Sequence, residues 1–200
     1  MISIIDYGLG NVKAFSNIFK MLNVKHEITA NFNAIEKSSK LILPGVGSFD
    51  WAMHKLTSSG LKELLDKVVI EKKIPILGIC VGMQLMANES DEGEMKGLGW
   101  IEGKVKKLSS NKEIEILPHM GWNYVEIGKN NLFNGIVDPN FYFLHSYFFE
   151  PERQNVVLGK TTYIEKFASI VNKENIFGIQ FHPEKSHANG VCILKNFAEL

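Results

Sequence analysis

The chain has 200 residues, 45% of them hydrophobic, and its 22 Lys plus Arg are balanced by 22 Asp plus Glu. That length suits one domain over 1–200 with a core large enough to bury most of its apolar surface, and the zero net charge offers no field to hold a polyanion, so nucleic acid is not an expected partner. No stretch approaches the roughly 18 uninterrupted apolar residues of a membrane span, and Met1-Ile2-Ser3-Ile4-Ile5-Asp6 lacks the basic and apolar regions of a secretion signal.

The expectation is a cytoplasmic protein without membrane association. The only cysteines, Cys80 and Cys192, make a disulfide framework implausible, and no His-x-x-x-His or Cys-x-x-Cys pair exists, so no metal or other cofactor is expected.

Ile2–Asp6 reads as a short β-branched strand, Tyr7-Gly8-Leu9-Gly10-Asn11 as a loop, and Val12–Leu22 as a helix through Val12, Phe15, Phe19 and Leu22. Gly8-x-Gly10 does not extend to a dinucleotide fingerprint, because the third glycine would fall at Lys13. Lys25–Thr29 and Lys40–Leu43 are further strands, the latter ended by Pro44-Gly45-Val46-Gly47. Helical spacing covers Phe49–Leu56 and Leu61–Ile70, and a fourth strand follows at Pro75–Ile79. This alternation predicts an α/β fold with a central, mostly parallel sheet flanked by helices. Ligands on such sheets bind at the carboxyl ends of strands, where Asp6, the Pro44 loop and Cys80 would lie.

After Asn88 the pattern turns β-rich, with candidate strands at Trp100–Leu108, Glu113–Leu117, Trp122–Ile127, Phe141–Phe149, Val156–Ile164, Ala168–Val171 and Ile176–Phe181, then a helix over Gly190–Leu200. No linker rich in Pro or Ser separates the halves, so the additional β portion should complete the same domain.

Two stretches carry chemistry. Ile74-Pro75-Ile76-Leu77-Gly78-Ile79-Cys80-Val81-Gly82-Met83-Gln84 has the form of a nucleophile elbow: a buried strand, a tight turn bearing Cys80, and a helix. Gly78 and Gly82 suit the close backbone contacts of such a turn, and a helix N-terminus beside the sulfur favours the thiolate. The same residues also fit a buried structural cysteine beside loop glycines.

In Phe177-Gly178-Ile179-Gln180-Phe181-His182-Pro183-Glu184, an apolar strand delivers His182 and Pro183 ends it. His182 would serve Cys80 as base while Glu184 orients the imidazole. Alone, a strand-end histidine reads as a hydrogen-bonded structural residue. Pro44-Gly45-Val46-Gly47 is an ordinary turn or an oxyanion loop, in which the backbone N–H groups of Val46 and Val81 would meet a developing negative oxygen.

With these motifs in place, the chain resembles the class I (triad) glutamine amidotransferases, and among them the glutaminase subunits of imidazole glycerol phosphate synthase. The resemblance runs through Asp6–Asn11, Leu43–Gly47, Gly78–Gln84, Gly97–Trp100, Pro118-His119-Met120-Gly121-Trp122-Asn123, His145-Ser146-Tyr147 and Gln180–Ser186. It implies a flavodoxin-like fold and hydrolysis of glutamine to glutamate and ammonia by the triad Cys80, His182 and Glu184. Gly47, Gln84, Ser146 and Tyr147 would hold the glutamine, with His119 and His145 structural or positioning.

It also implies that ammonia passes to a TIM-barrel cyclase subunit docked over the cysteine face, in contact with Asn11, Trp122, Tyr142 and Lys185. Relatives that feed ammonia to a sugar amidotransferase in surface-polysaccharide synthesis share the triad, and Gly47-Ser48-Phe49-Asp50 and Phe141–Tyr147 resemble them equally. A glutamine-binding module without catalysis is the reading from another class, against which the retained Cys80, His182 and Glu184 speak.

Overall fold

The computed structural model describes residues 1–109 and 116–200, so the expected strand at Glu113–Leu117 falls mostly outside the described residues. The first four strands are β1 (Ile2–Ile5), β2 (His26–Thr29), β3 (Lys40–Gly45) and β4 (Ile76–Cys80). They pair in parallel in the order β2-β1-β3-β4. β1 and β4 are buried along their whole length and β3 from Leu41 onward. Strands buried on both faces of a parallel sheet read as such continuous apolar runs. Helix α1 (Val12–Met21) turns Phe15 and Phe19 inward, and the Asn11 side chain caps it by accepting from the Ala14 N–H.

The later half of the chain returns to the same sheet. β13 (Ile176–Ile179) lies parallel to β4 with Ile179 opposite Ile79, and β12 (Lys166–Lys173), β11 (Val157–Thr162) and β8 (Glu126–Ile127) extend the sheet antiparallel to eight strands. Beside it stand a sheet of β5 (Glu89–Ser90), β6 (Gly103–Lys107) and β10 (Tyr147–Pro151), and a ribbon of β7 (His119–Tyr124) and β9 (Asn140–His145). One hydrophobic cluster runs from Ile2 to Phe197 through both halves.

Several local readings need correction, among them the expected strand Trp122–Ile127, which is divided between β7 in the ribbon and β8 in the eight-stranded sheet. Helix α2 (Phe32–Glu36) is not expected from the sequence: it is capped by Asn31 and buries only Ile35, so no periodicity marks it. The helix expected over Leu61–Ile70, after α3 (Phe49–Ser58), is α4 (Leu61–Leu65) passing into a π-helical stretch at Asp66–Glu71, whose wider turn still buries Val68 and Val69. The apolar run Phe141–Phe149 is two strands in different sheets, broken at Ser146. The helix after Cys80, α5 (Val81–Gln84), is a single turn, so its dipole is smaller than a full helix would supply. The closing helix α6 (His187–Glu199) starts three residues before the expected Gly190.

Candidate active site

Three neighbouring strand ends build the site. Gly45 at the end of β3 stands in register with Cys80 at the end of β4, and His182 follows β13 on β4's other side. Cys80 has φ 55° and ψ −114°, a strained conformation for a residue with a Cβ and of the kind that costs about 1–3 kcal/mol. Packing holds it there. A Cβ on Gly82 would fall on the Leu43 carbonyl oxygen, and one on Gly78 would come within 2.6 Å of the Gly82 carbonyl oxygen and the Met86 Cε. Elbow and neighbouring strand therefore pack backbone on backbone, and the Cys80 residue is left 4% exposed.

His182 is fixed through its backbone: its N–H donates to the Tyr142 carbonyl at 2.9 Å, and its carbonyl accepts from the Ser186 hydroxyl at 2.6 Å. Pro183 opens a tight turn, Pro183–Lys185, that folds Glu184 back beneath the ring. Nδ1 of His182 lies 3.0 Å from Glu184 Oε1, with both side chains nearly excluded from solvent. Burial alone would lower the histidine's pKa. Hydrogen bonds to Cys80 and Glu184 and their charges outweigh it and raise His182 to about 10.

Cys80 opens into a cavity of ≈ 310 Å³, the size of a small-molecule site. It is lined by Val46, Gly47, Val81, Gln84, Glu92, Pro118, Leu144, His145, Ser146, Tyr147 and His182. Val46 is 40% exposed and is followed by Gly47 at φ 86°, a backbone setting that glycine adopts without strain. Gln84 Nε2 donates to the Tyr147 carbonyl at 2.8 Å and to Gln180 Oε1 at 3.0 Å, while Gln180 Nε2 lies 3.7 Å from Cys80 Sγ.

Sequence reasoning passed over Gln180, Tyr7 and Glu92. Tyr7 is buried and its hydroxyl donates to the Pro44 carbonyl at 2.7 Å, bracing the strand that leads into the Val46 loop. Burial, then the charge of Cys80, pushes its pKa up. Glu92 is the carboxylate lining the cavity. Its Oε2 accepts from the Phe49 N–H at 2.8 Å, capping α3 where Ser48 makes no side-chain cap. Asp50 holds the same loop by accepting from the N–H groups of Glu94 and Met95. Nothing local in Glu89–Gly93 signals this role, since Glu92 reaches the site only through tertiary contact with α3.

The four residues assigned to a partner surface lie outside the cavity. Trp122 on β7 meets Tyr142 on β9 edge to face at 6.2 Å between ring centres, and Lys185 Nζ sits 5.4 Å over the Tyr142 ring. Trp122 also stacks on His187 at 5.1 Å. Asn11 is exposed at the start of α1, whose helix touches the Pro183–Lys185 turn. Met120, Trp122 and Tyr124 alternate on the outer face of β7, all exposed.

A parallel sheet with a strained cysteine at one strand end and a histidine–glutamate pair at the next agrees with the wider comparison. The sequence profile of the family described as glutamine amidotransferase class-I matches residues 3–199. The chain belongs to the class-I glutamine amidotransferase family.

Within it, the chain is 50% identical over 204 residues to the imidazole glycerol phosphate synthase subunit HisH of Leptospira interrogans, covering 100% of both. It is 46% identical over 204 residues to the HisH subunit of Bdellovibrio bacteriovorus, again covering 100% of both. Among solved structures, one described as a glutamine amidotransferase has a TM-score of 0.76 at 18% identity, covering 100% of this chain and 99% of that one. PurLQS from Thermotoga maritima has a TM-score of 0.70 at 15% identity, covering 99% of this chain and 97% of that one. These two show the fold.

Proposed function

We propose that the protein is a glutaminase subunit that hydrolyses glutamine and delivers the ammonia to a TIM-barrel cyclase of the HisF type, which makes imidazole glycerol phosphate and aminoimidazole carboxamide ribotide in histidine biosynthesis. The observation that carries the chemistry is that strained Cys80 and His182, itself held by buried Glu184, line one cavity. Similarity to HisH subunits over the full length supports the pathway. The reading also places the protein in the cytoplasm, where thiols stay reduced.

His182, held by Glu184, takes the proton of Cys80 as its sulfur attacks the side-chain carbonyl carbon of glutamine. A C–S bond forms, and the backbone N–H groups of Val46 and Val81 receive the developing oxyanion. As the C–N bond breaks, His182 gives its proton to the leaving nitrogen and ammonia departs, leaving a glutamyl thioester. His182 then takes a proton from water as that water attacks the thioester. The C–S bond breaks and glutamate leaves.

Gln84, Gly47, Ser146 and Tyr147 hold the substrate, and Glu92 meets its ammonium group as the carboxylate of the cavity. Asn11, Trp122, Tyr142 and Lys185 seat the cyclase, with Trp122 and Tyr142 as aromatic anchors.

The test is to purify the chain together with the cyclase, then measure glutamine hydrolysis with and without the cyclase's ribonucleotide ligand. Stimulation by both is expected. Cys80→Ala should reduce glutamine hydrolysis by at least about a thousandfold while ammonium salts still support synthesis in the complex. Loss of both activities in that variant would overturn the division of labour. No stimulation in a chain whose Cys80 is labelled by a glutamine-like electrophile would point to a different synthase, and no labelling at all to a binding module.

A further inference from the structure

The two faces of β7 differ. Met120, Trp122 and Tyr124 point outward as an exposed apolar stripe, while His119 points inward and Asn123 is half-buried on the same inner side. From that inner face a hydrogen-bond chain runs to the glutamine cavity. Asn123 Nδ2 lies 3.2 Å from His119 Nε2, His119 Nδ1 lies 2.9 Å from His145 Nε2, and His145 Nδ1 lies 2.9 Å from the Tyr147 carbonyl oxygen. That oxygen is also the acceptor for Gln84.

The direction of the chain is set at both ends by carbonyls, which only accept. Tyr147 O requires a proton on His145 Nδ1, which leaves Nε2 as acceptor and makes His119 Nδ1 the donor. His119 Nε2 must then accept. Asn123 supplies the proton, because its amide is oriented by donating to the Thr162 carbonyl at 3.0 Å and by accepting from the Tyr124 N–H at 2.8 Å.

Both histidines are therefore neutral with the proton on Nδ1, and burial holds both below the usual range. Protonating either would set two N–H groups head to head. Stacking of His119 between Tyr163 and Phe143, at 4.1 and 4.7 Å between ring centres, leaves the ring no room to turn.

We propose that this chain is a positioning device through which a partner seated on the outer face of β7 sets the glutamine subsite, with Asn123, His119 and His145 acting through the Tyr147 carbonyl on Gln84. The proposal rests on the glutaminase reading above. A shift of β7 by a fraction of an ångström cannot be absorbed by freely turning side chains, because every link is both oriented and packed. It moves the carbonyl that Gln84 is bonded to. The three residues touch no reacting atom, so their effect belongs in glutamine binding and not in the chemical step.

The experiment measures KM and kcat for glutamine with and without the cyclase in wild type, His119→Gln, His119→Asn and Asn123→Ala. The partner should lower KM in wild type. In His119→Gln, which has no donor at the Nδ1 position, KM in the complex should rise by about tenfold, the order expected for one buried hydrogen bond, with kcat within about twofold. The partner should no longer lower it. His119→Asn places an amide N–H where Nδ1–H stood and should recover most of the loss.

Asn123→Ala, altering a half-buried residue, should shift KM the same way by a smaller factor and serves if His119→Gln does not fold. A folded His119→Gln or Asn123→Ala whose KM still responds to the partner as wild type does overturns the proposal, and so does a fall in kcat at unchanged KM. Wild type that hydrolyses no glutamine in the complex overturns the glutaminase reading, and the proposal with it.

Discussion

The parallel-sheet edge and the β7–β9 ribbon meet at the same cavity, but they hold their residues by different means. At the sheet edge, Cys80 is set by backbone packed against backbone, with Gly82 on Leu43 and Gly78 on Gly82. At the ribbon, side-chain hydrogen bonds run from Asn123 through His119 and His145 to the carbonyl of Tyr147, at the start of β10, which also accepts from Gln84. Close-packed backbone has one arrangement, whereas a polar chain transmits small displacements. Cys80 is thus mounted rigidly, and the residues proposed to hold glutamine adjustably.

The comparison is broken most severely on the rigid side. Gly82→Ala places a Cβ on the Leu43 carbonyl oxygen, and strand and elbow must part to admit it. A loss of about 3 kcal/mol of unfolding free energy is expected, with glutaminase activity falling alongside. Urea unfolding and glutamine hydrolysis on the same preparation measure both, and a variant as stable as wild type would show that the elbow is not held by packing.

The two regions should also fail at opposite ends of the pH scale. His182 is raised from 6.5 to about 10, so the folded state holds its proton more tightly than the unfolded chain does. Its contribution is full below about pH 6.5 and is lost as pH rises through about 10. His119 and His145 are lowered from 6.5 to about 4 and about 3 by burial. Their contribution is full above about 6.5 and is lost as pH falls through those values. Unfolding free energy measured from pH 4 to 10 in wild type, Glu184→Gln and His119→Gln separates them. Glu184→Gln should flatten the alkaline slope and His119→Gln the acid one, and the opposite assignment would refute the contrast.

The smallest expected effect lies where the rigid side depends on one side chain. Tyr7→Phe removes the donor to the Pro44 carbonyl and should cost about 1 kcal/mol of stability. Less than about a tenfold drop in kcat should accompany it, with KM for glutamine unchanged, if the Val46 loop serves the oxyanion as proposed. A rise in KM at unchanged kcat would place Tyr7 with the glutamine subsite instead.

Much of this was readable from the residues alone because the signals are local. The β-branched runs at Ile2–Ile5 and Ile76–Cys80 are buried on both faces and show it in composition, and Gly78 and Gly82 bracket Cys80 within a few positions. His182 and Glu184 are two residues apart, so one turn suffices to join them. Membership of the class-I family was legible in the same motifs, as the match over residues 3–199 shows.

What the chain alone did not reveal depends on distance. The run Phe141–Phe149 looks like one strand because Ser146 is a single ordinary residue, and only pairing with β7 on one side and β6 on the other divides it. Glu92 belongs to the cavity and caps a helix 43 residues earlier, while Tyr7 braces the strand beside it because its hydroxyl reaches Pro44 across 37 residues. The direction of the histidine chain is set by two backbone carbonyls, Tyr147 on β10 and Thr162 on β11, brought to its ends by strands of different sheets. Local periodicity and turn chemistry determined which elements form and where Cys80 sits. Side chains from distant elements had to be packed together before the cavity around Gln84 and its hydrogen-bond chain to the inner face of β7 existed, since neither has a spacing in the sequence to betray it.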